Sequence, residues 1–205
     1  ESDLALLSNP CSGLEIKTSE TAVGDRWLSV ELRNDGLLGE KMPKLFGVED
    51  SGHVVLPSPH PLLENHWSLV GDGAATLVSY LLAKSCVGNN EMVRGWKKRI
   101  SVSNVDRTLW NGTNQLSDTI ADIAFKQLNE LGELTHWNRH GLAGEENLML
   151  IEASLNDCPL SLGIRNSGTQ AKISISLRLG IGLDHTGMEI ILDQIASILA
   201  ANMRL

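Results

Sequence analysis

Only three cysteines occur in the sequence, Cys11, Cys86 and Cys158, and they lie far apart. An odd, sparse set does not make a disulfide framework, so free thiols in a reducing compartment, the cytoplasm, are expected. Basic charge is also scarce: 17 Lys and Arg face 25 Asp and Glu, for a formal net charge of −8. Such a chain gains nothing from the counterion release that drives non-specific nucleic-acid binding. No nucleic-acid partner is expected, although a local anion site remains open. Long apolar runs are missing too. None approaches the roughly 18 residues of a membrane span and no signal peptide opens the chain, so no membrane partner is expected. Without a secretory signal, the sequon Asn111-Gly112-Thr113 is a chance spelling. The chain begins at Glu1 rather than Met, which suggests processing or excision from something longer.

What is present suffices for a packed core. Apolar residues make up 42% and charged residues 20% of the 205 residues, enough for one large or two small domains. Residues 14–18 read as a short strand. A helix over about 25–32 would turn Trp27, Val30 and Leu32 to a core and close near Asn34-Asp35-Gly36. Two short apolar runs flank Asp50-Ser51-Gly52, and "LPSPHPLLENH" reads as a loop. In "GDGAATLVSYLLAKSC", Asp72 is an N-cap and Leu77, Val78, Leu81 and Leu82 form a helix face. Strand–helix alternation suggests an α/β unit.

After a linker at 87–91 the order changes. Residues 99–102 alternate as a strand. Residues 114–131 form the clearest helix, with a stripe of Leu116, Ile120, Ile123, Ala124, Leu128 and Leu131 interrupted by Gln127 and ended by Gly132. Residues 134–145 read as a polar loop. Strands follow at 148–155, 160–165 and 172–179, the last with a strict period of two. Thr186-Gly187-Met188-Glu189 reads as a capping box for a final helix burying Met188, Ile191, Leu192, Ile195 and Leu199. The expected fold is an α/β partial layer over residues 1–88, then a small α+β domain over 89–205 with a mainly antiparallel sheet and two helices.

Several possible sites are set aside on chemistry. Gly71-Asp72-Gly73-Ala74-Ala75-Thr76 half-matches a dinucleotide fingerprint, but no convincing strand leads into it and the last glycine is missing. His136 and His140 have metal spacing but read as solvated loop histidines, as do His60 and His66. Ser8-Asn9-Pro10-Cys11 has a nucleophile-loop spelling and nothing more.

Two stretches carry more. Glu49, Ser51 and His53 are spaced to share one face in extended backbone and suit recognition of a polyol. A carboxylate accepts from two hydroxyls, a serine donates and accepts, and an imidazole relays a proton. The equal alternative is a hairpin with Ser-Gly at its turn. In "RNSGTQ", Arg165 offers a planar fork suited to phosphate, Ser167 and Thr169 add hydroxyls, and Gly168 permits positive φ for an anion nest. These are also ordinary turn residues.

Taken in order, Val23-Gly24-Asp25-Arg26, Gly47-Val48-Glu49-Asp50-Ser51-Gly52-His53, Gly71-Asp72-Gly73 and Arg165-Asn166-Ser167-Gly168-Thr169-Gln170-Ala171-Lys172 resemble the C-terminal half of the α-D-phosphohexomutases. That family includes phosphomannomutase/phosphoglucomutase and phosphoglucosamine mutase, with motifs V-G-D-R, G-x-E-x-S-G-H, G-D-G and R-x-S-G-T-E-P-K. The resemblance implies the latter part of the family's third domain, followed by its fourth. It implies that Glu49 and Ser51 hold sugar hydroxyls, that His53 assists near the reacting groups, and that Arg165, Ser167, Gly168 and Thr169 grip the non-reacting phosphate.

The implied reaction is phosphoryl transfer between C1 and C6 of a hexose phosphate, through a phosphoserine and a hexose 1,6-bisphosphate, with Mg²⁺. The family's T-A-S-H-N-P-like nucleophile loop and D-G-D-x-D-R-like metal loop do not occur in these 205 residues. The nucleophilic serine and the metal site are therefore expected in an N-terminal half of the same polypeptide, and the fragment alone is expected to be inactive. Gln170-Ala171 replaces the family's Glu-Pro, and Val48 replaces a frequent glycine. The alternative is a non-catalytic phosphosugar-binding module.

Overall fold

The computed structural model describes residue 4 and residues 17–33, 36–49, 51–87 and 94–205. The expected strand at 14–18 lies partly outside these, and its described residues, 17 and 18, have no strand. Asn34, Asp35 and Asp50, the tetrapeptide 8–11 and the linker after Val87 also fall outside. The chain divides into two compact units, whose main segments are Ser19–Met92 and Val93–Leu205.

Among its described residues the first unit is a partial α/β layer of two helices and three strands. Helix α1 (Asp25–Arg33) starts where the Trp27 N–H donates to Gly24 O at 2.9 Å. Asp25 in its first turn and Arg33 in its last both suit the helix dipole. Strands β1 (Gly47–Val48), β2 (Val54–Pro59) and β3 (Trp67–Val70) pair antiparallel in the order β1-β2-β3. Helix α1 packs closely on β1 because position 47 is glycine. A Cβ there would lie 3.1 Å from Leu28 Cβ and 3.2 Å from Leu32 Cδ1. Leu28 thus takes a packing role expected of Val30, which is exposed. The proline cluster is only partly a loop, since Leu56 to Pro59 pair with Val70 to Trp67. Prolines 57 and 59 are tolerated where the ladder does not need their missing N–H.

Helix α2 (Gly73–Val87) begins as expected, with Asp72 Oδ1 accepting from the N–H of Ala74 at 2.7 Å and of Ala75 at 3.1 Å. Its expected face does not reach a core. Leu77, Val78, Leu81 and Leu82 are each more than half exposed. Among the described residues of this unit only Ala22 and Val55 are buried apolar side chains, so the small sheet covers little of the helix.

The second unit is an α+β sandwich with a full core. Strands β4 (Trp96–Ser103), β5 (Leu134–Leu142), β6 (Glu145–Leu155), β7 (Cys158–Asn166) and β8 (Lys172–Leu179) form one antiparallel sheet in the order β4-β8-β7-β6-β5. Helices α3 (Gln115–Leu131) and α4 (Met188–Asn202) pack on one face, α3 against β5 and β6, α4 against β4 and β8. Alternation puts Ile173, Ile175, Leu177 and Leu179 under the helices, where they are buried with Ile120, Leu128, Leu192, Ile195 and Leu199. Gln127, the break in the α3 stripe, donates through Nε2 to Gln194 Oε1 of α4, so the interruption is a polar tie between the helices.

Two local expectations are corrected. Residues 134–142 are not a loop but the edge strand β5, with register shifts at Thr135/Asn138 and His140/Leu142. An edge strand has one pairing partner and one solvated side, so its sequence lacks the apolar density of a central strand. The capping box at 186–189 does not form. Helix α4 starts at Met188 after Gly187 in the left-handed region (φ 88) with no side-chain cap. Thr186 instead donates to Asp184 Oδ1 through N–H and Oγ1, at 2.9 and 2.7 Å, and Glu189 pairs with Lys98 Nζ at 2.9 Å.

Candidate sugar and phosphate sites

In the first unit, the β1–β2 connection brings the three expected residues together. The Glu49 N–H donates to His53 O at 2.9 Å and the Gly52 N–H to Glu49 O at 3.0 Å, with Gly52 at φ 93. The hairpin reading and the polyol reading are therefore both geometrically true. The extended-face argument is not the cause of the convergence. Strand β1 ends at Val48, and a tight turn folds Ser51 and His53 back over Glu49.

Ser51 Oγ donates to Glu49 Oε2 at 2.8 Å, and His53 Nδ1 lies 3.0 Å from the same oxygen. A carboxylate acceptor calls for the proton on Nδ1, which leaves Nε2 of the neutral ring as a lone pair. His53 is 71% exposed and Glu49 only 13%. Glu49 Oε1 is buried and makes no hydrogen bond. An unsatisfied buried carboxylate oxygen costs about 1–3 kcal/mol or more.

Burial works to raise the Glu49 pKa. The hydrogen bonds from Ser51 and His53, the Gly24 backbone and the His53 charge outweigh it, so the net shift is below the ordinary value of 4.5. A depressed folded-state value means the stabilisation is fully present above 4.5 and is lost as pH falls through the folded value. An NMR titration of the Glu49 carboxyl is thus expected to show a midpoint below 4.5, with His53 resonances moving in the same step. Ser51→Ala removes a donor to the charged form and raises that midpoint.

In the second unit, Arg165 lies near the end of β7, paired in register with Leu148 on β6 and Ser174 on β8. Its Nη1 donates to Glu145 Oε1 at 2.9 Å, both side chains being largely covered. The turn beyond it is closed by its own backbone. Ser167 N–H donates to Lys172 O at 2.9 Å, and Lys172 N–H to Gln170 O at 2.7 Å. Ser167 Oγ accepts from the N–H of Thr169 at 3.4 Å and of Gln170 at 3.2 Å. Gly168 is exposed and outside the left-handed region, so the positive-φ nest expected there does not form. The serine oxygen occupies the place an anion would take between those two N–H groups. Thr169 is exposed beside it.

Three partners of this turn were not legible in the sequence. Glu145 comes from β6, 20 residues before Arg165. Asn166 Nδ2 donates to Arg107 O at 2.9 Å and Trp110 O at 2.8 Å, and Arg107 Nη1 donates to Ser167 O at 2.7 Å. Only "RN" in the turn hinted at such anchors. Their partners lie 56–60 residues away, beyond any local pattern.

The stretches set aside resolve as structural groups. His136 and His140 sit on β5, where a spacing of four spans about 13 Å and defeats chelation. His140 Nε2 contacts Glu152 Oε2 at 2.9 Å. His60 Nδ1 accepts from the N–H of Leu62 and Leu63 at 3.2 and 3.1 Å, and His66 Nδ1 bonds Glu64 O at 2.7 Å. A strand, β3, does lead into Gly71-Asp72-Gly73, but the N–H groups at the head of α2 are taken by Asp72. Cys86 and Cys158 are free thiols. No helix of the described residues is long and apolar enough to cross a membrane. Among those residues no group of three or more His, Cys, Asp or Glu is arranged to hold a metal ion.

No curated protein and no solved structure matches the chain. Residues 5–95 match the family model described as phosphoglucomutase/phosphomannomutase, alpha/beta/alpha domain III, so this part of the chain is similar to a phosphohexomutase domain.

Proposed function

We propose that the chain carries the sugar-hydroxyl and non-reacting-phosphate sites of an α-D-phosphohexomutase, an isomerase that moves a phosphoryl group between C1 and C6 of a hexose phosphate. The observation that carries this reading is the convergence of Ser51 and His53 on Glu49 Oε2, inside the segment that matches the domain III model.

Each residue has a task in that reading. Glu49 stays ionised at neutral pH and accepts from ring hydroxyls, and its partnerless Oε1 leaves acceptor capacity for one once a ligand draws the side chain out. Ser51 can give its proton to Glu49 or accept from the sugar. His53, with Nδ1 held by Glu49 and most of its ring in solvent, presents Nε2 to an incoming hydroxyl. Arg165 meets the idle phosphate after exchanging Glu145 for it, and Ser167 and Thr169 add hydroxyl donors. The family chemistry needs the bisphosphorylated intermediate to bind in two orientations. Hydroxyl recognition through one carboxylate, with phosphate recognition through a separate turn, meets that need. The phosphoserine and Mg²⁺ would come from sequence outside these 205 residues.

A second reading, a phosphosugar-binding module without chemistry, is favoured by Gln170 and Ala171 in place of Glu-Pro. Both readings expect glucose 1-phosphate to shift amide resonances at 49–53 in a ¹⁵N-labelled chain, with saturation. Glu49→Gln keeps the shape but loses the charge-assisted bonds, and is expected to weaken that binding about tenfold. Unchanged affinity in Glu49→Gln, or no shift at 49–53, rejects both. Mutase activity of a longer parent chain separates them.

A further inference from the structure

The β7–β8 turn has two guanidinium groups beside it, and they differ in availability. Arg165 is already paired with Glu145 Oε1 at 2.9 Å. Arg107, on a single 3₁₀ turn (Arg107–Leu109), is exposed and has no carboxylate partner among the described residues. Its one side-chain bond is from Nη1 to Ser167 O at 2.7 Å, which uses one of the five N–H donors of the fork. That bond holds the planar group against the backbone of the phosphate turn. Its own carbonyl is held in turn by Asn166 Nδ2 at 2.9 Å, so both ends of Arg107 are tied to positions 166–167.

The neighbouring Asp106 does not neutralise it. The Asp106 carboxylate is turned to Thr108, accepting from its N–H at 2.9 Å and Oγ1 at 2.7 Å. Trp110, two residues beyond Thr108, is buried and fixes the segment from below, with Nε1 donating to Asn147 O at 3.0 Å. A guanidinium with spare donors, pre-positioned within hydrogen-bond reach of the turn, requires little further ordering when an anion arrives.

We propose that Arg107 is a phosphate-binding residue of the β7–β8 turn, supplying from 60 residues upstream the guanidinium that a phosphomonoester meets without displacing a carboxylate. The proposal rests on the phosphate role of the 165–169 turn. Arg107 makes the first contact, and Arg165 joins only when the phosphate competes Glu145 away. Lysine in place of Arg107 would keep the charge but lose the fork.

The test is an NMR titration of the ¹⁵N-labelled chain with inorganic phosphate and with glucose 6-phosphate, at low and at physiological ionic strength. In the unsubstituted chain, amides at 166–170 are expected to shift and saturate. Arg107→Gln is expected to weaken binding about ten- to hundredfold and flatten its salt dependence, with Arg107→Lys intermediate. If Arg107→Gln binds phosphate as tightly as the parent chain while Arg165→Gln does not, Arg107 only braces the turn and the inference falls, though the phosphate turn stands. If Arg107→Gln weakens binding but already displaces the ligand-free resonances of 166–170, and Arg107→Lys restores nothing, the role is structural and the inference again falls. If the unsubstituted chain shows no saturable shift at 166–170, the inference and the phosphate-turn reading fail together.

Discussion

Replacing Arg165 with alanine is expected to weaken hexose-phosphate binding by about ten- to hundredfold, the worth of one or two charge-assisted hydrogen bonds. The raw effect of Arg165→Ala mixes two losses. It removes the proposed phosphate ligand, and it takes from Glu145 its Arg165 partner within a largely covered pair. The Glu145 carboxylate, no longer countered by Arg165, then adds repulsion toward the incoming phosphate. The double variant Arg165→Ala with Glu145→Gln separates them, because the second change removes the stranded charge. Glu145→Gln alone removes the carboxylate that competes with the phosphate and is expected to tighten binding. Isothermal titration with glucose 6-phosphate checks all three. Unchanged affinity in Arg165→Ala removes Arg165 from the phosphate site. In a longer parent chain with mutase activity, the same substitution is expected to depress kcat/KM by a comparable factor.

Trp110→Ala is expected to have the largest effect on stability, lowering that of the second unit by about 3–5 kcal/mol. The indole is 1% exposed within the core beneath the sheet and helices, and its Nε1 donates to Asn147 O at 3.0 Å. Truncation leaves a cavity and orphans that carbonyl. It also loosens the stretch whose carbonyl accepts from Asn166 Nδ2 at 2.8 Å. Trp110→Phe keeps part of the ring volume but leaves a smaller cavity and the same orphaned carbonyl, with a cost expected at about 1–3 kcal/mol. Guanidinium unfolding followed by far-ultraviolet circular dichroism measures both. Hydrogen exchange at 166–170 should rise in Trp110→Ala beyond the change elsewhere, because Trp110 supports that turn directly. If Trp110→Ala unfolds the unit outright, Trp110→Phe still reports the turn's dependence through its exchange rates.

Much of the second unit was legible because its signals are local. The stripe of α3 repeats every three to four residues, and β8 alternates strictly. Each pattern reflects burial of one side of a single element. The misread elements are those whose state depends on a neighbour. Strand β5 has the composition of a loop because it stands at the sheet edge, and only pairing with β6 makes it a strand. At 184–189, Thr186 donates its N–H and Oγ1 to Asp184 Oδ1, and the helix N–H groups receive no side-chain cap. In the first unit, the face of α2 was read correctly as apolar. Whether that face is buried depends on what stands opposite, and the described residues provide little.

The candidate sites divide in the same way. Residue identity and spacing by themselves determined that Glu49, Ser51 and His53 can act together and that 165–169 is a donor-rich turn, since both are short-range properties of the chain. Tertiary structure alone decided that Arg165 is held by Glu145 and that Arg107, with no carboxylate partner among the described residues, stands against the same turn. The physical reason is that a guanidinium's availability is set by the carboxylates within a few ångströms of it. Glu145 comes from 20 residues before Arg165, and Arg107 meets the carbonyl of Ser167 from 60 residues upstream, contacts made only when the sheet closes.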